Sequence, residues 1–144
     1  MNKIEFFRVT KGEDGKPDTC LTLGTPMVLF SFDKSMKMML AYWHPVKEWY
    51  CTELYTGLQL ATGKTKIALF EHISNEVGWT FEYIKRGIED SYWEQQHQLI
   101  ADAYKKLDED RPSGLFGRHS LSQELIEYIT APTFKEAISN GKKE

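Results

Sequence analysis

The stretch Trp49-Tyr-Cys-Thr-Glu-Leu-Tyr-Thr-Gly-Leu-Gln-Leu-Ala-Thr-Gly-Lys-Thr-Lys-Ile-Ala68 decides the fold, because the hydrophobic period changes inside it. Glu48–Tyr55 alternates as a strand, with Tyr50 and Leu54 on one face and Trp49, Cys51 and Tyr55 on the other. Thr56-Gly57 reads as a hairpin turn and Leu58–Ala61 as the returning strand. From Thr65 the period is helical, with Ile67, Phe70, Ile73 and Val77 on one side.

Upstream of this stretch everything reads as strand. Ile4–Thr10, Cys20–Leu23, Met27–Phe32 and Met38–Trp43 are short aromatic or apolar runs. They are separated by Gly12–Asp18, by Gly24-Thr25-Pro26 and by Asp33-Lys34-Ser35, all rich in turn residues. Turns this short favour antiparallel pairing, since parallel strands need long crossovers.

Downstream the chain reads as helix. Gly78 is expected to cap the first helix, and Thr80 to open a second that ends at Asp108-Glu109-Asp110. Phe81, Ile84, Ile88, Tyr92, Leu99, Ala103 and Leu107 form its expected apolar stripe. Ser120 with Gln123 makes a capping-box pattern for a third helix, and Thr133 with Glu136 opens a last turn. The tail from Asn140 is expected to fray. The expected fold is α+β: one domain over residues 1–144, strands to about residue 62 and helices from 63. An N-terminal antiparallel sheet carries the C-terminal helices on one face.

Charge and cysteine content exclude several classes. The chain has 144 residues, 18 Lys+Arg and 21 Asp+Glu, for a net charge of −3. A binder of duplex nucleic acid usually carries a basic field, and none is present overall. Cys20 and Cys51 make neither a disulfide framework nor a zinc spacing. The four histidines, His44, His72, His97 and His119, form no metal-binding pair, so no metal or cofactor is expected. No signal peptide opens the chain, and no apolar run spans a bilayer. A cytoplasmic protein with no membrane partner is expected.

Four groups of residues carry possible chemistry. Gly63-Lys64-Thr65 stands between strand and helix, as phosphate-binding loops do, but Leu58 occupies the place of the first glycine. Either Thr65 simply caps the helix, or Lys64 and the helix amides hold a phosphate without hydrolysing it. Asp90, Glu94 and His97 share a helix face, and Glu94-x-x-His97 is half of a dimetal pattern; with no second copy it reads as a solvated polar face. Trp43, His44, Trp49, Tyr50 and Tyr55 gather around one turn; they read first as core volume, and otherwise Trp43 and Tyr50 are candidates to stack on a base. The segment 111–119 contributes Arg111, Ser113, Gly114, Phe116, Gly117, Arg118 and His119. Its arginine forks suit phosphate and its glycines allow close approach; the plainer reading is a long connection between helices.

The quoted stretch, with its strand, Thr-Gly turn, short strand and Gly63-Lys-Thr-Lys66 helix opening, resembles small phage proteins, most of all the anti-Thoeris sponge family. That resemblance implies an antiparallel sheet followed by helices and a homo-oligomer with pockets at subunit contacts. It also implies non-catalytic trapping of cyclic ADP-ribose isomers made by host TIR-domain defence enzymes. It assigns no ligand residue here; the candidates above come from the residues themselves. The resulting expectation is a non-enzymatic sponge for a small phosphorylated nucleotide. The alternative is a phage inhibitor that docks on a host defence enzyme through the acidic long helix (Glu82, Glu89, Asp90, Glu94, Asp108, Glu109, Asp110).

Overall fold

The computed structural model describes residues 3–88, 90–110 and 121–140. Five strands come first: β1 Ile4–Lys11, β2 Pro17–Phe30, β3 Lys37–Trp43, β4 Trp49–Glu53 and β5 Gln59–Gly63. They form one antiparallel sheet in sequence order. Four helices follow: α1 Lys66–Lys85, α2 Ser91–Asp110, α3 Gln123–Thr130 and α4 Phe134–Ile138. This is the expected α+β order. Among the described residues no helix is long and apolar enough to cross a membrane.

β2 departs from the expectation of two short strands broken at Gly24-Thr25-Pro26. It is one 14-residue strand that changes partner within that tripeptide. Ile4 to Lys11 pair with Gly24 back to Pro17, and Thr25 to Phe30 pair with Tyr42 back to Lys37. Gly24 permits the crossing, because a Cβ there would lie 2.8 Å from the Tyr42 carbonyl oxygen and 2.9 Å from Phe6 Cε1. The sheet then curls: Val9 N–H donates to Gly57 O at 2.8 Å, bringing β1 against the turn between β4 and β5.

Gly57 closes that turn at φ +72°, where its N–H donates to Glu53 O. A Cβ there would meet Ile100 Cγ1 at 2.8 Å, so α2 lies directly on the turn. The Asp33 turn is fixed differently. Its carboxylate accepts from Ser31 Oγ, Ser35 N and Ser35 Oγ, which holds it well below the usual carboxylate range.

Helix α1 runs through Gly78 instead of ending there, and Thr80 donates its hydroxyl back to Glu76 O rather than opening a new helix. Leu69, Ile73, Val77, Phe81 and Ile84 form one continuous buried stripe, whose burial outweighs the roughly 1 kcal/mol cost of the glycine. The helix stops at Arg86, with Gly87 at φ +76°. The stripe is also rotated from expectation, for Ile67 is 76% exposed and Leu69 takes the core position. Likewise α2 buries Gln96, Ile100, Tyr104 and Leu107, while Tyr92 faces outward. Its start is set by Asp90, whose Oδ1 accepts from Tyr92 N.

The cap of α3 is Ser122, which accepts from Leu125 N. The expected cap, Ser120, lies outside the described residues. Thr133 caps α4 as expected, accepting from Glu136 N. Asn140 is tied down, against expectation: its N–H donates to Ser35 O and its side chain to Lys34 O. Sheet and helices share one buried apolar cluster, from Ile4 and Phe6 through Leu40 and Leu69 to Ile138.

Candidate functional site

The strand register gathers one set of candidates at one end of the sheet. Trp43 ends β3, Tyr50, second in β4, lies opposite it, and Gly63 ends β5 opposite Trp49. Lys64, Thr65 and the start of α1 follow at once. Trp43 and Tyr50 stack at 5.5 Å between centroids, 28° apart. The Arg8 guanidinium lies over the Trp43 ring at 5.3 Å, while its nitrogens donate to Thr22 Oγ1 and Cys20 Sγ.

On the other side of the same end, Lys66 Nζ stands 5.3 Å from the Tyr42 ring and 5.6 Å from Trp49. His44 stacks on Trp49 at 4.5 Å. Thr65 caps α1, accepting from Ala68 N, and the first helical turn carries no acidic residue. Among the described residues, none of Arg8, Lys64 and Lys66 is paired with a carboxylate. Each therefore keeps an unneutralised charge, and Arg8 and Lys66 are set beside aromatic faces that attract cations.

Gly63 is explained by packing. A Cβ there would stand 2.8 Å from Leu69 Cα, so only glycine lets α1 lie this close to β5. Of the expected site residues, Trp43, Tyr50, Lys64 and Thr65 thus come to one end of the sheet. Arg111, Ser113, Gly114, Phe116, Gly117, Arg118 and His119 lie outside the described residues.

The opposite ends of β3, β4 and β5 border a cavity of about 330 Å³ that the motifs did not indicate. Its wall includes Trp79 and Tyr83 of α1, Trp93 of α2 and Phe134 of α4, together with Glu53 and Glu76. Trp79 and Tyr83 meet edge to face at 5.7 Å, and Trp93 and Phe134 at 5.1 Å. Among the described residues no lysine, arginine or histidine lines it.

Glu53 is 3% exposed. Its Oε1 accepts from Thr56 N and Thr56 Oγ1, and its Oε2 from Tyr55 N and the Tyr128 hydroxyl. Burial raises the carboxyl above its ordinary range, and the four donors offset only part of that rise. A single carboxylate in an otherwise uncharged strand was the signal for this site. It breaks the strand alternation between Thr52 and Leu54.

Of the expected solvated face, Asp90 and Glu94 are exposed, but His97 is half-buried and turned to protein partners. His97 lies flat on Tyr55 at 3.7 Å and its Nε2 is 2.7 Å from Ile129 O. Glu94 Oε2 accepts from Phe134 N at 3.1 Å, and the Tyr55 hydroxyl donates to Ala131 O. These bonds fasten α3 and α4 to α2. Among the described residues no group of histidine, cysteine or acidic side chains is placed to hold a metal. Cys51 is buried, and its thiol is pushed up to about 12 by burial first and by Glu53 second, which suppresses the thiolate.

Comparison with protein-family models, characterised proteins and solved structures gives no match to this chain.

Proposed function

We propose that the protein binds a small phosphorylated nucleotide without turning it over, at the sheet end formed by Arg8, Trp43, Tyr50, Lys64 and Lys66. The observation that carries this reading is three cations with no carboxylate partner among the described residues: Lys64 and Lys66 at the start of α1, Lys66 beside Tyr42 and Trp49, and Arg8 over Trp43 on the other side of the same sheet end. Phosphate draws on Lys64, Lys66 and the free amides of the first turn of α1. The base draws on the Trp43–Tyr50 pair. The chain as a whole carries −3, so this local positive charge sets the ligand's orientation rather than a general affinity for polyanions.

Sequestration is the activity that fits a site with charge and stacking surfaces and, among the described residues, no nucleophile paired to a base. Cyclic ADP-ribose isomers, the ligands implied by the sponge resemblance, carry both groups the site asks for, and a phage counter-defence role follows from the same resemblance. Val46 and Ile67 stand 77% and 76% exposed at this end. A second copy of the chain covering them deepens the shallow site into a pocket.

Titration of the protein with ADP-ribose and its cyclic isomers, against a Lys64→Ala/Lys66→Ala variant, tests the reading. Each lost charged contact is expected to cost about 1.5–3 kcal/mol of binding. Equal affinity in the folded variant overturns the site.

A second reading is a protein-docking inhibitor. It is favoured by Ile88 and Tyr92, 42% and 50% exposed where α1 passes to α2. Nucleotide binding that survives Ile88→Ser/Tyr92→Ser, with loss of a host partner, would place that activity on this surface.

A further inference from the structure

The cavity at the far end of the strands has a chemistry opposite to that of the basic end. Among the described residues four rings and two carboxylates wall it, and no cation does. An anion entering it meets Glu53 and Glu76 with no compensating charge. A neutral apolar group gains nothing from either carboxyl. A cation finds ring faces, which attract positive charge most strongly when it is desolvated.

The hydrogen bonding narrows the cation further. Glu53 already accepts four donors, from Tyr55 N, Thr56 N, Thr56 Oγ1 and the Tyr128 hydroxyl. Glu76 Oε2 stands 3.8 Å from His72 Nε2. A primary ammonium brings three N–H groups, each of which must be satisfied when it leaves water. Glu53 has no acceptor position left, so a primary ammonium has to find its three acceptors among Thr56, Gln59, Glu76 and Thr80 of the wall. A fully methylated ammonium has no N–H to satisfy and spreads its charge over methyl groups that fit against rings.

The walls are also built for entry. Phe134 is buried at 3% exposure, while Trp79 is 63% exposed at the rim. Trp79 and Tyr83 stand one helical turn apart on α1, and Trp93 and Phe134 come from α2 and α4. An exposed tryptophan beside a cavity costs solvation in the free protein, and a ligand that covers it recovers that cost. The volume, about 330 Å³, lies within the usual range for small-ligand pockets of roughly 300–1,000 Å³.

We propose that this cavity binds a fully methylated ammonium group, carried by a free small cation or by a methylated lysine side chain. The proposal rests on the cavity alone. It stands or falls independently of nucleotide binding, since the two sites lie at opposite ends of β3, β4 and β5.

The full chain is titrated with choline, with choline's neutral dimethylbutanol isostere, and with a short peptide carrying either trimethyllysine or unmodified lysine. Tryptophan fluorescence and calorimetry report binding. The methylated cations are expected to bind at least about tenfold tighter than the neutral isostere and the unmodified peptide. Choline binding as well as the trimethyllysine peptide identifies a free cation as the ligand. A much tighter peptide identifies a modified side chain. Trp79→Ala, with its ring already largely in solvent, is expected to keep the thermal midpoint and lose the preference for the cation. Glu76→Gln serves the same purpose should Trp79→Ala fail to fold. Equal binding of the isostere or of unmodified lysine, or no binding of any probe, overturns the proposal. So does an unchanged preference in the folded variants.

Discussion

The Tyr128 hydroxyl donates to the Glu53 carboxylate across 75 residues of chain, in a position where both side chains are buried. This bond ties α3 to the last residue of β4. Burial also makes Tyr128 a reluctant acid, raising its hydroxyl well above the ordinary tyrosine value. Removing the donor in Tyr128→Phe leaves one acceptor position of a buried carboxyl unfilled. That is expected to cost about 1–3 kcal/mol in a denaturant melt.

Glu53→Gln is a sharper change. All four partners of the carboxyl are donors, so the glutamine NH2 is forced against at least one of them. The variant is expected to lose stability and also a pH dependence. The folded chain holds a proton on Glu53 at pH values where the unfolded chain has released it, because burial raises its pKa. Stability therefore falls as pH rises from the ordinary glutamate value through the raised one. Melts of the native protein should show that slope, and Glu53→Gln should lack it.

Gly63→Ala tests why a glycine precedes the helix. The added Cβ would stand 2.8 Å from Leu69 Cα, a backbone atom that cannot turn aside. A loss of at least about 1–3 kcal/mol is expected. A variant as stable as the parent would show that α1 is free to move away from β5.

His97→Ala separates the two readings of the α2 polar face. A solvated histidine costs less than about 0.5 kcal/mol on replacement. A histidine stacked on Tyr55 and bonded to Ile129 O is expected to cost about 1–3 kcal/mol. A lowered denaturant midpoint with an unchanged slope is the expected result.

The two thiols should differ in reactivity. Cys51 is fully buried with its thiol pushed up to about 12, whereas Cys20 is half-buried on β2. Alkylation followed by mass spectrometry should modify Cys20 first, and Cys51 only on unfolding.

The change from strand to helix at Gly63-Lys64-Thr65 was legible in the sequence because period and cap chemistry agree there. So was the Thr133 cap. The continuity of β2 and α1 was not. Gly24-Thr25-Pro26 and Gly78-Trp79-Thr80 carry local stop signals, and distant partners override both. Phe6 and Tyr42 close on Gly24, and burial of Phe81 and Ile84 carries α1 past Gly78. Trp43 and Tyr50 were legible as a pair because the turn between them is short. The cavity was not, since its walls come from positions as far apart as Glu53, Trp79, Trp93 and Phe134. His97 misled for the same reason, and the bond from Phe134 to the exposed Glu94 was hidden likewise: their partners, Ile129 and Phe134, are more than 30 residues away.

The central claim, reversible capture of a phosphorylated nucleotide, is tested most directly by depletion and recovery. The protein is incubated with cyclic ADP-ribose isomers, and the free ligand is measured after filtration. The protein is then heated and the ligand measured again. The account predicts that the ligand disappears and returns chemically intact. Ligand that stays free throughout, or returns altered, contradicts it.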